Sequence, residues 1–381
     1  MKPVRIVCVG IGGYAKIYLE ALIRDRSGDF QIVGLVDVCP QNCRFLEELS
    51  GIPLYESMEA FYAENTADLC IITTPIHLHT TQILTALSHG SHVMCEKPLS
   101  GCSADEDVLM NASKKYEKFV MIGYQWSYSH AVNRLKADVL AGVYGKPQFL
   151  KTMVLWPRSS NYFNRTSRWA GRIAIDGVPV NDSVANNAAA HYLHNILYVT
   201  GKAVGSSSEV CDLQADLLRL NNIENFDTAV VRFRMDNGAT GLFVGSHATD
   251  NAWEPSFEYR FERGTVYYDD KAKNIVGRLE NGEIREYGDP SENVNEKIYE
   301  AIRACRIPNY QPVCGVVAAT PHVRCIEKIQ SCAIHDIPKS QIRSRDNHLF
   351  AEGLYDNLLQ CYLQEKLLCE LPDGERWVSI V

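Results

Sequence analysis

The sequence predicts an α/β domain on a parallel sheet, followed by an α+β domain on a mostly antiparallel, open sheet with C-terminal helices. Three observations predict it. Up to about residue 123, short continuously apolar runs alternate with amphipathic ones, the pattern of βαβ units. Beyond Gly123, strand-like segments succeed one another with turn signals between them. The length, 381 residues, accommodates two cores at ~100–200 residues per domain. The expected domains are therefore 1–123 and 124–381.

The elements justify this division in order. The apolar runs Val4–Val9, Gln31–Val36, Asp68–Thr73, His92–Cys95 and Phe119–Ile122 read as strands, and the continuously apolar Val4–Val9 and Leu69–Ile72 as buried on both faces. Between them Tyr14–Arg26, Asn42–Leu49, Thr80–Ser88 and Ala104–Tyr116 carry apolar residues at spacings of three and four and read as helices. Gly28, Gly51 and Gly90 come after three of them, and Ser103 with Glu106 reads as an N-cap. In the second domain Ala131–Leu140 reads as a helix. Gln148–Leu155, Val210–Leu218, Thr228–Met235, Thr240–Val244, Tyr259–Arg263 and Thr265–Tyr268 read as strands. Asn237-Gly238 and Asn281-Gly282 fit hairpin turns. Val294–Arg306, Pro321–Ala333 and Leu349–Leu368 read as closing helices.

Composition excludes several partners. The 46% hydrophobic and 22% charged fractions are those of an ordinary globular chain. A net charge of −8 without any Lys/Arg run argues against nucleic acid, whose affinity rests on neutralising phosphates. No apolar run reaches the ~18–20 residues that span a bilayer, so no membrane association is expected. Lys2 and Arg5 before Ile6–Ile11 imitate an export signal, but the stretch is too short and runs into glycines. A cytoplasmic location with reduced thiols is expected; the 13 cysteines are an odd number and cannot all pair. Neither Cys39/Cys43, Cys361/Cys369 nor His77-x-His79 has zinc-site spacing, so no metal is expected.

The first strand runs into Gly10-Ile-Gly12-Gly13-Tyr14-Ala15 and then a helix. In such a G-x-G-x-x-A turn Gly10 permits the bend, Gly12 admits a pyrophosphate close to the backbone, and Ala15 lets helix and strand pack. The first-turn amides then face the phosphates. Asp37 ends the second strand 22 residues beyond Ala15, where an acid accepts hydrogen bonds from the adenosine ribose. The domain thus reads as a Rossmann dinucleotide-binding unit. The Asp37 charge repels a 2′-phosphate, so NAD is expected in preference to NADP, although Arg44 downstream is a cation that such a phosphate could use.

Two further segments carry a resemblance. Thr74-Pro75-Ile-His-Leu-His79 is succeeded by Ala86-Leu87-Ser-His-Gly90-Ser-His-Val93-Met-Cys-Glu96-Lys97-Pro98. Together with the glycine turn they resemble the Gfo/Idh/MocA (glucose–fructose oxidoreductase / inositol dehydrogenase) family, whose pattern is T-P-x-x-x-H and then A-L-x-x-G-x-H-V-x-x-E-K-P. Gly142-Val-Tyr-Gly145-Lys-Pro147, and Asn225-Phe-Asp227-Thr-Ala with Phe233 and Asn237-Gly238-Ala239, resemble its later elements. The resemblance implies cofactor contacts at Gly10, Gly12, Gly13, Tyr14, Ala15, Asp37, Thr74, Pro75, His79, Glu96 and Lys97, and a homo-oligomer, dimer or tetramer. It implies that Lys97 binds the substrate hydroxyl and assists its proton transfer; a lysine serves there if its surroundings bring its pKa toward neutrality.

Asn187-Ala-Ala-Ala-His191-Tyr-Leu-His194 is similar to the family's D-x-G-x-H-x-x-D helix, with Gly201 ten residues beyond His191. His191 takes the catalytic histidine position, and its unperturbed pKa suits proton exchange near neutrality. Asn187 and His194 stand where the family has aspartates and are read as substrate contacts, the three sharing one helix face. An asparagine orients a hydroxyl but neither supplies charge nor takes a proton. The segment from Trp156 to Arg172, containing Tyr162, Arg165 and Trp169, reads as a sugar platform, with Trp126 counted in the same region: aromatic faces pack on pyranose C–H groups and Arg/Asn donate to hydroxyls or a carboxylate. Its competing reading is an ordered interface patch.

The function expected is an NAD(P)-dependent oxidoreductase, a dehydrogenase acting on a sugar, cyclitol or related polyol by hydride transfer to nicotinamide. Redox-neutral glycoside cleavage or epimerisation with bound NAD is the neighbouring alternative. A sensor that binds dinucleotide and sugar without turnover is the alternative of another class.

Overall fold

The computed structural model describes residues 2–164, 169–345 and 347–378. The first sheet is parallel, in the order β3-β2-β1-β4-β5-β6. Its strands are β1 (Val4–Val9), β2 (Phe30–Val36), β3 (Leu54–Tyr55), β4 (Leu69–Ile72), β5 (His92–Cys95) and β6 (Val120–Ile122). Its helices are α1 (Ala15–Arg24), α2 (Met58–Glu64), α3 (His79–Ser88) and α4 (Asp105–Tyr116). The strand order reverses between β1 and β4, so the ligand crevice of this doubly wound sheet lies at their C-terminal ends. Every residue of β4 is buried, as a strand covered on both faces requires.

Local departures have local causes. The helix expected over Asn42–Leu49 is a single 3-10 turn, Pro40–Asn42, and then a run of turns; its apolar spacing instead buries Cys43 and Leu49. Neither β3 nor α2 stands out in the sequence pattern, although Ser57 caps α2 by accepting the Ala60 amide at 3.1 Å. At α4 the N-cap is Ala104, not Ser103; the Ser103 carbonyl accepts the Glu106 amide at 3.1 Å.

The second sheet has nine strands in the order β16-β15-β14-β13-β7-β12-β11-β10-β17. The chain enters it through α5 (His130–Leu140), β7 (Pro147–Leu155), the short α6 (Ser160–Phe163), a small hairpin of β8 (Ala174–Ile175) and β9 (Val178–Pro179), and α7 (Ala190–Val199). Then come β10 (Val210–Arg219), β11 (Thr228–Met235), β12 (Thr240–Ser246), β13 (Trp253–Phe261), β14 (Gly264–Asp269), β15 (Ile275–Leu279) and β16 (Ile284–Gly288). Pairing is antiparallel except β7 with β12 and β10 with β17. Of the strand expected at Tyr259–Arg263, Tyr259–Phe261 is the end of β13, and Glu262 and Arg263 form the turn into β14. The two Asn-Gly pairs do form the expected turns, Gly238 and Gly282 each at φ 88°.

The closing elements are α8 (Glu296–Ala304), α9 (Val316–Gln330), β17 (Ile334–Asp336), the hairpin strands β18 (Ile342–Arg345) and β19 (His348–Ala351), and α10 (Leu354–Gln364). Leu349–Leu368 is thus not one helix: its first residues pair in β19 before α10 begins. Pro321, expected to open a helix, lies inside α9. Its missing N–H cannot donate to the Val317 carbonyl, and Val317 is 45% exposed.

Two compact units result: Met1–Tyr128 with Asn293–Thr320, and Ser129–Glu292 with Pro321–Val381. The texture of the sequence suggested one division, 1–123 from 124–381. The difference is the stretch containing α8, which joins the first unit; a helix that returns to an earlier sheet leaves no mark in local texture.

Candidate active site

The glycine turn is shaped by close approach. Gly10 has φ 80°, and a Cβ there would stand 2.6 Å from Thr74 Cγ2 and 2.9 Å from Thr74 N. The turn is fixed from both sides, by Gly10 N–H to the Val36 carbonyl (2.8 Å) and Thr73 Oγ1 to the Gly10 carbonyl (2.5 Å). Gly12, Gly13 and Tyr14 donate no backbone hydrogen bond to another described residue, and no atom lies within 4 Å of where a Gly13 Cβ would be. Open amides at the start of the ten-residue α1 make an anion cradle that fits a pyrophosphate.

Asp37, just past β2, has both carboxylate oxygens engaged: Ile11 N–H donates to Oδ2 and Cys39 N–H to Oδ1, each at 2.7 Å. The carboxylate is therefore aimed by the glycine turn itself and keeps lone pairs for ribose hydroxyls. Val38 beside it is 81% exposed, an apolar surface that no sequence motif marks. Arg44 lies over the Phe45 ring, 5.7 Å from its centroid.

At the end of β5, Glu96 is 5% exposed. One oxygen accepts the Tyr18 hydroxyl (2.5 Å) and the Lys297 ammonium; the other accepts the Lys97 backbone N–H at 3.1 Å. Lys297, 1% exposed, also donates to the Gly123 carbonyl (3.3 Å) and lies 4.6 Å from the Tyr18 ring centroid. A Cβ on Gly123 would come within 3.0 Å of the Glu96 carboxylate, so glycine leaves room for the pair. Burial alone would raise the Glu96 carboxyl, but Lys297, Lys97 and the Tyr18 hydroxyl outweigh it and hold it below its ordinary value. Glu96 thus ties Lys97 to α1, β6 and α8.

His79 is 1% exposed, with Nδ1 2.9 Å from the Pro98 carbonyl and Nε2 2.9 Å from the Thr74 carbonyl. Burial lowers its pKa despite these carbonyls. Both ring nitrogens face backbone carbonyls and the neutral ring donates to one of them, so His79 lies between the Thr74-Pro75 turn and the Lys97-Pro98 turn. Thr74 Oγ1 donates to Gln82 at 2.5 Å.

In the second unit, Asn187 lies in the turns before α7, not on the helix, so it does not extend a helical face shared with His191 and His194. Its Nδ2 donates to the Tyr162 hydroxyl at 3.2 Å. All ten residues of α7 are buried. His191 is 7% exposed, beside Tyr192, on which Trp156 packs edge-on. His194, 1% exposed, stacks on Tyr198 and meets His322 edge-on. Burial, then His322 and Lys136, hold its pKa well below the ordinary value. It is therefore a neutral group of the interior.

Tyr162 stands 6.0 Å from the His247 ring; Trp169 is half-buried in a turn, and Arg165 lies outside the described residues. Trp126, 2% exposed, belongs to the first unit's core rather than to the platform region. Lys297, Tyr18 and His247 belong to no motif and escape a reading of the sequence. Lys297 sits on an amphipathic helix, where lysine ordinarily marks the wet face.

A doubly wound sheet, an open amide cradle and an acid just past the second strand are the marks of a class, the NAD-binding oxidoreductases. The model of GFO_IDH_MocA, "Oxidoreductase family, NAD-binding Rossmann fold", matches residues 4–124, so the first domain is similar to that family. Among its relatives, the myo-inositol 2-dehydrogenase of Thermotoga maritima is 23% identical over 273 residues, 71% of this chain and 77% of that one. Of solved structures, the WlbA dehydrogenase of Bordetella pertussis, in complex with NADH and UDP-GlcNAcA, matches with TM-score 0.69 and 22% identity, over 86% of this chain and 95% of that one. An inositol dehydrogenase homologue of Azotobacter vinelandii, complexed with NADH and myo-inositol, matches with TM-score 0.68 and 17% identity, over 87% and 95%. At these identities the structures show a shared fold.

Proposed function

We propose that the protein is an NAD-dependent dehydrogenase that oxidises a secondary alcohol of a sugar, cyclitol or related polyol. The observation that carries this reading is the Glu96 clasp: it fixes Lys97 at the C-terminal end of β5, on the edge of the sheet where the cradle opens. Gly10, Gly12, Gly13, Tyr14 and Ala15 would hold the pyrophosphate, Asp37 the adenosine ribose, and Thr74-Pro75 the nicotinamide side. Bound there, NAD+ supplies the acceptor for the hydride that leaves the carbinol carbon. Lys97 takes the hydroxyl proton as the carbon–oxygen double bond forms. His191 is the second proton-handling group, and Asn187 with Tyr162 orients substrate hydroxyls. Glu96 and His79 act through Lys97 and Thr74 as positioning residues.

Asn187 in place of an aspartate favours one second reading, redox-neutral epimerisation or glycoside cleavage through transient oxidation, because the relay around His191 lacks a carboxylate. The test is a panel of polyols, sugars and glycosides with NAD and with NADP, monitoring reduced cofactor and product masses together. Net NADH with a product lighter by two hydrogens supports the dehydrogenase. Converted substrate without NADH supports the redox-neutral reading. Cofactor and sugar binding without any conversion overturns both.

A further inference from the structure

We infer that the substrate carries an anionic group, a carboxylate or a phosphate, which Arg158 recognises. This rests on the reading of Asn187 and Tyr162 as substrate contacts and deepens it. Arg158 lies just beyond β7 and extends over Tyr162, its guanidinium carbon 4.9 Å from the ring centroid. The Tyr162 hydroxyl is the group that Asn187 donates to, at 3.2 Å. The backbone of Arg158 is pinned on both sides: its N–H donates to the His247 carbonyl at 3.1 Å, and its carbonyl meets His348 Nδ1 at 3.0 Å. Its Nε is buried and has no hydrogen-bond partner, and no carboxylate of a described residue pairs with it.

Three acids of this segment have partners other than Arg158. Glu254 accepts the Trp156 indole N–H at 3.0 Å, Glu224 pairs with Arg172 and accepts the Ile173 amide at 3.1 Å, and Asp182 accepts the Gly171 amide at 2.6 Å. His247, whose pKa burial pushes down to about 4, adds no competing charge.

A guanidinium is always charged, and leaving its buried Nε unpaired is unfavourable. An oxyanion removes that cost, since the guanidinium fork matches a carboxylate or phosphate with two parallel hydrogen bonds. The guanidinium lies over the Tyr162 ring, and the Asn187–Tyr162 bond links it to the hydroxyl-orienting asparagine. The acidic group is one such as a hexuronate or a hexose phosphate carries.

The experiment measures equilibrium binding in the presence of NADH by calorimetry, for a set of hexuronates, the matching hexose phosphates and the neutral hexoses. It uses the parent and Arg158→Gln, with the NADH affinity of each as the check on folding. We expect one anionic class to bind more tightly than its neutral counterpart. Arg158→Gln should weaken that class by about 10- to 100-fold and leave the neutral sugars unchanged. Whether uronates or phosphates respond identifies the source of the anion. Equal binding of neutral and anionic sugars, absence of anionic binding, or unchanged affinity in Arg158→Gln overturns the inference. Oxidation of neutral sugars insensitive to Arg158 sinks this inference alone. Arg158-dependent anion binding with no conversion of any substrate sinks the dehydrogenase reading and leaves anion recognition standing.

Discussion

Asp37 is oriented by the Ile11 and Cys39 amides, and in the proposed binding mode its charge would meet a 2′-substituent of the adenosine ribose. Repulsion at such range is worth a few kcal/mol in a poorly screened site. Asp37→Ala should therefore narrow the preference for NAD over NADP, chiefly by improving NADP binding about tenfold or more. Titrating both cofactors into both proteins checks this, and equal constants in the parent refute it. At Lys97 the expectation concerns chemistry instead. Lys97→Met should lower the single-turnover rate by about 10² or more while dinucleotide affinity stays nearly unchanged. A surviving rate would make Lys97 a structural lysine. Both residues are legible in the sequence because each belongs to a short motif in a strand–turn context. Asn187 is legible as a departure, but its hydrogen bond to Tyr162 is not, since a loop conformation joins them.

Among elements, α8 matters more than its sequence suggests. It brings Lys297 to Glu96 across 201 residues and, with Tyr18 of α1, makes one buried cluster. Removing only the cation leaves a buried carboxylate uncompensated, which costs about 3–5 kcal/mol. Lys297→Met should show that loss in denaturant midpoints, and the double variant Glu96→Gln/Lys297→Met should recover most of it because neither charge remains. Equal midpoints for single and double variants would mean that packing, not the ion pair, holds α8. Other elements depart from the sequence pattern for physical reasons of the same kind. The apolar spacing of Asn42–Leu49 reports burial correctly but not helix. The run Leu349–Leu368 joins a strand to a helix because both bury leucines. The histidines of α7 look like one face of an amphipathic helix, whereas the helix is buried all round.

Over the whole molecule, several histidines are folded away in neutral form. Burial lowers the pKa of His79 and, well below its ordinary value, of His194; it takes His92 and His247 down to about 4. Below about pH 6.5, the ordinary histidine value, the unfolded chain binds protons that the folded chain refuses. Stability should therefore fall from about pH 6.5 toward about pH 4, by about 1.4 kcal/mol per pH unit for a group such as His247. Glu96, held below its ordinary value, adds a further loss only as pH drops through the carboxylate range. Thermal unfolding across this range checks the sign, and a melting temperature that rises on acidification contradicts it. Read without coordinates, the chain already specifies the parallel sheet, the glycine turn, the acid after β2, the Glu96-Lys97-Pro98 step and the mostly antiparallel character of the second sheet. These are written in neighbouring residues, through apolar period, turn chemistry and motif spacing. Folding in three dimensions adds that α8 belongs with the first sheet, that Glu96 is paired with Lys297, that His79 lies between two backbone carbonyls, and that Arg158 lies on Tyr162 without a counter-charge from a described residue. Each depends on groups brought together by the path of the folded backbone, and no local periodicity encodes the distance between them.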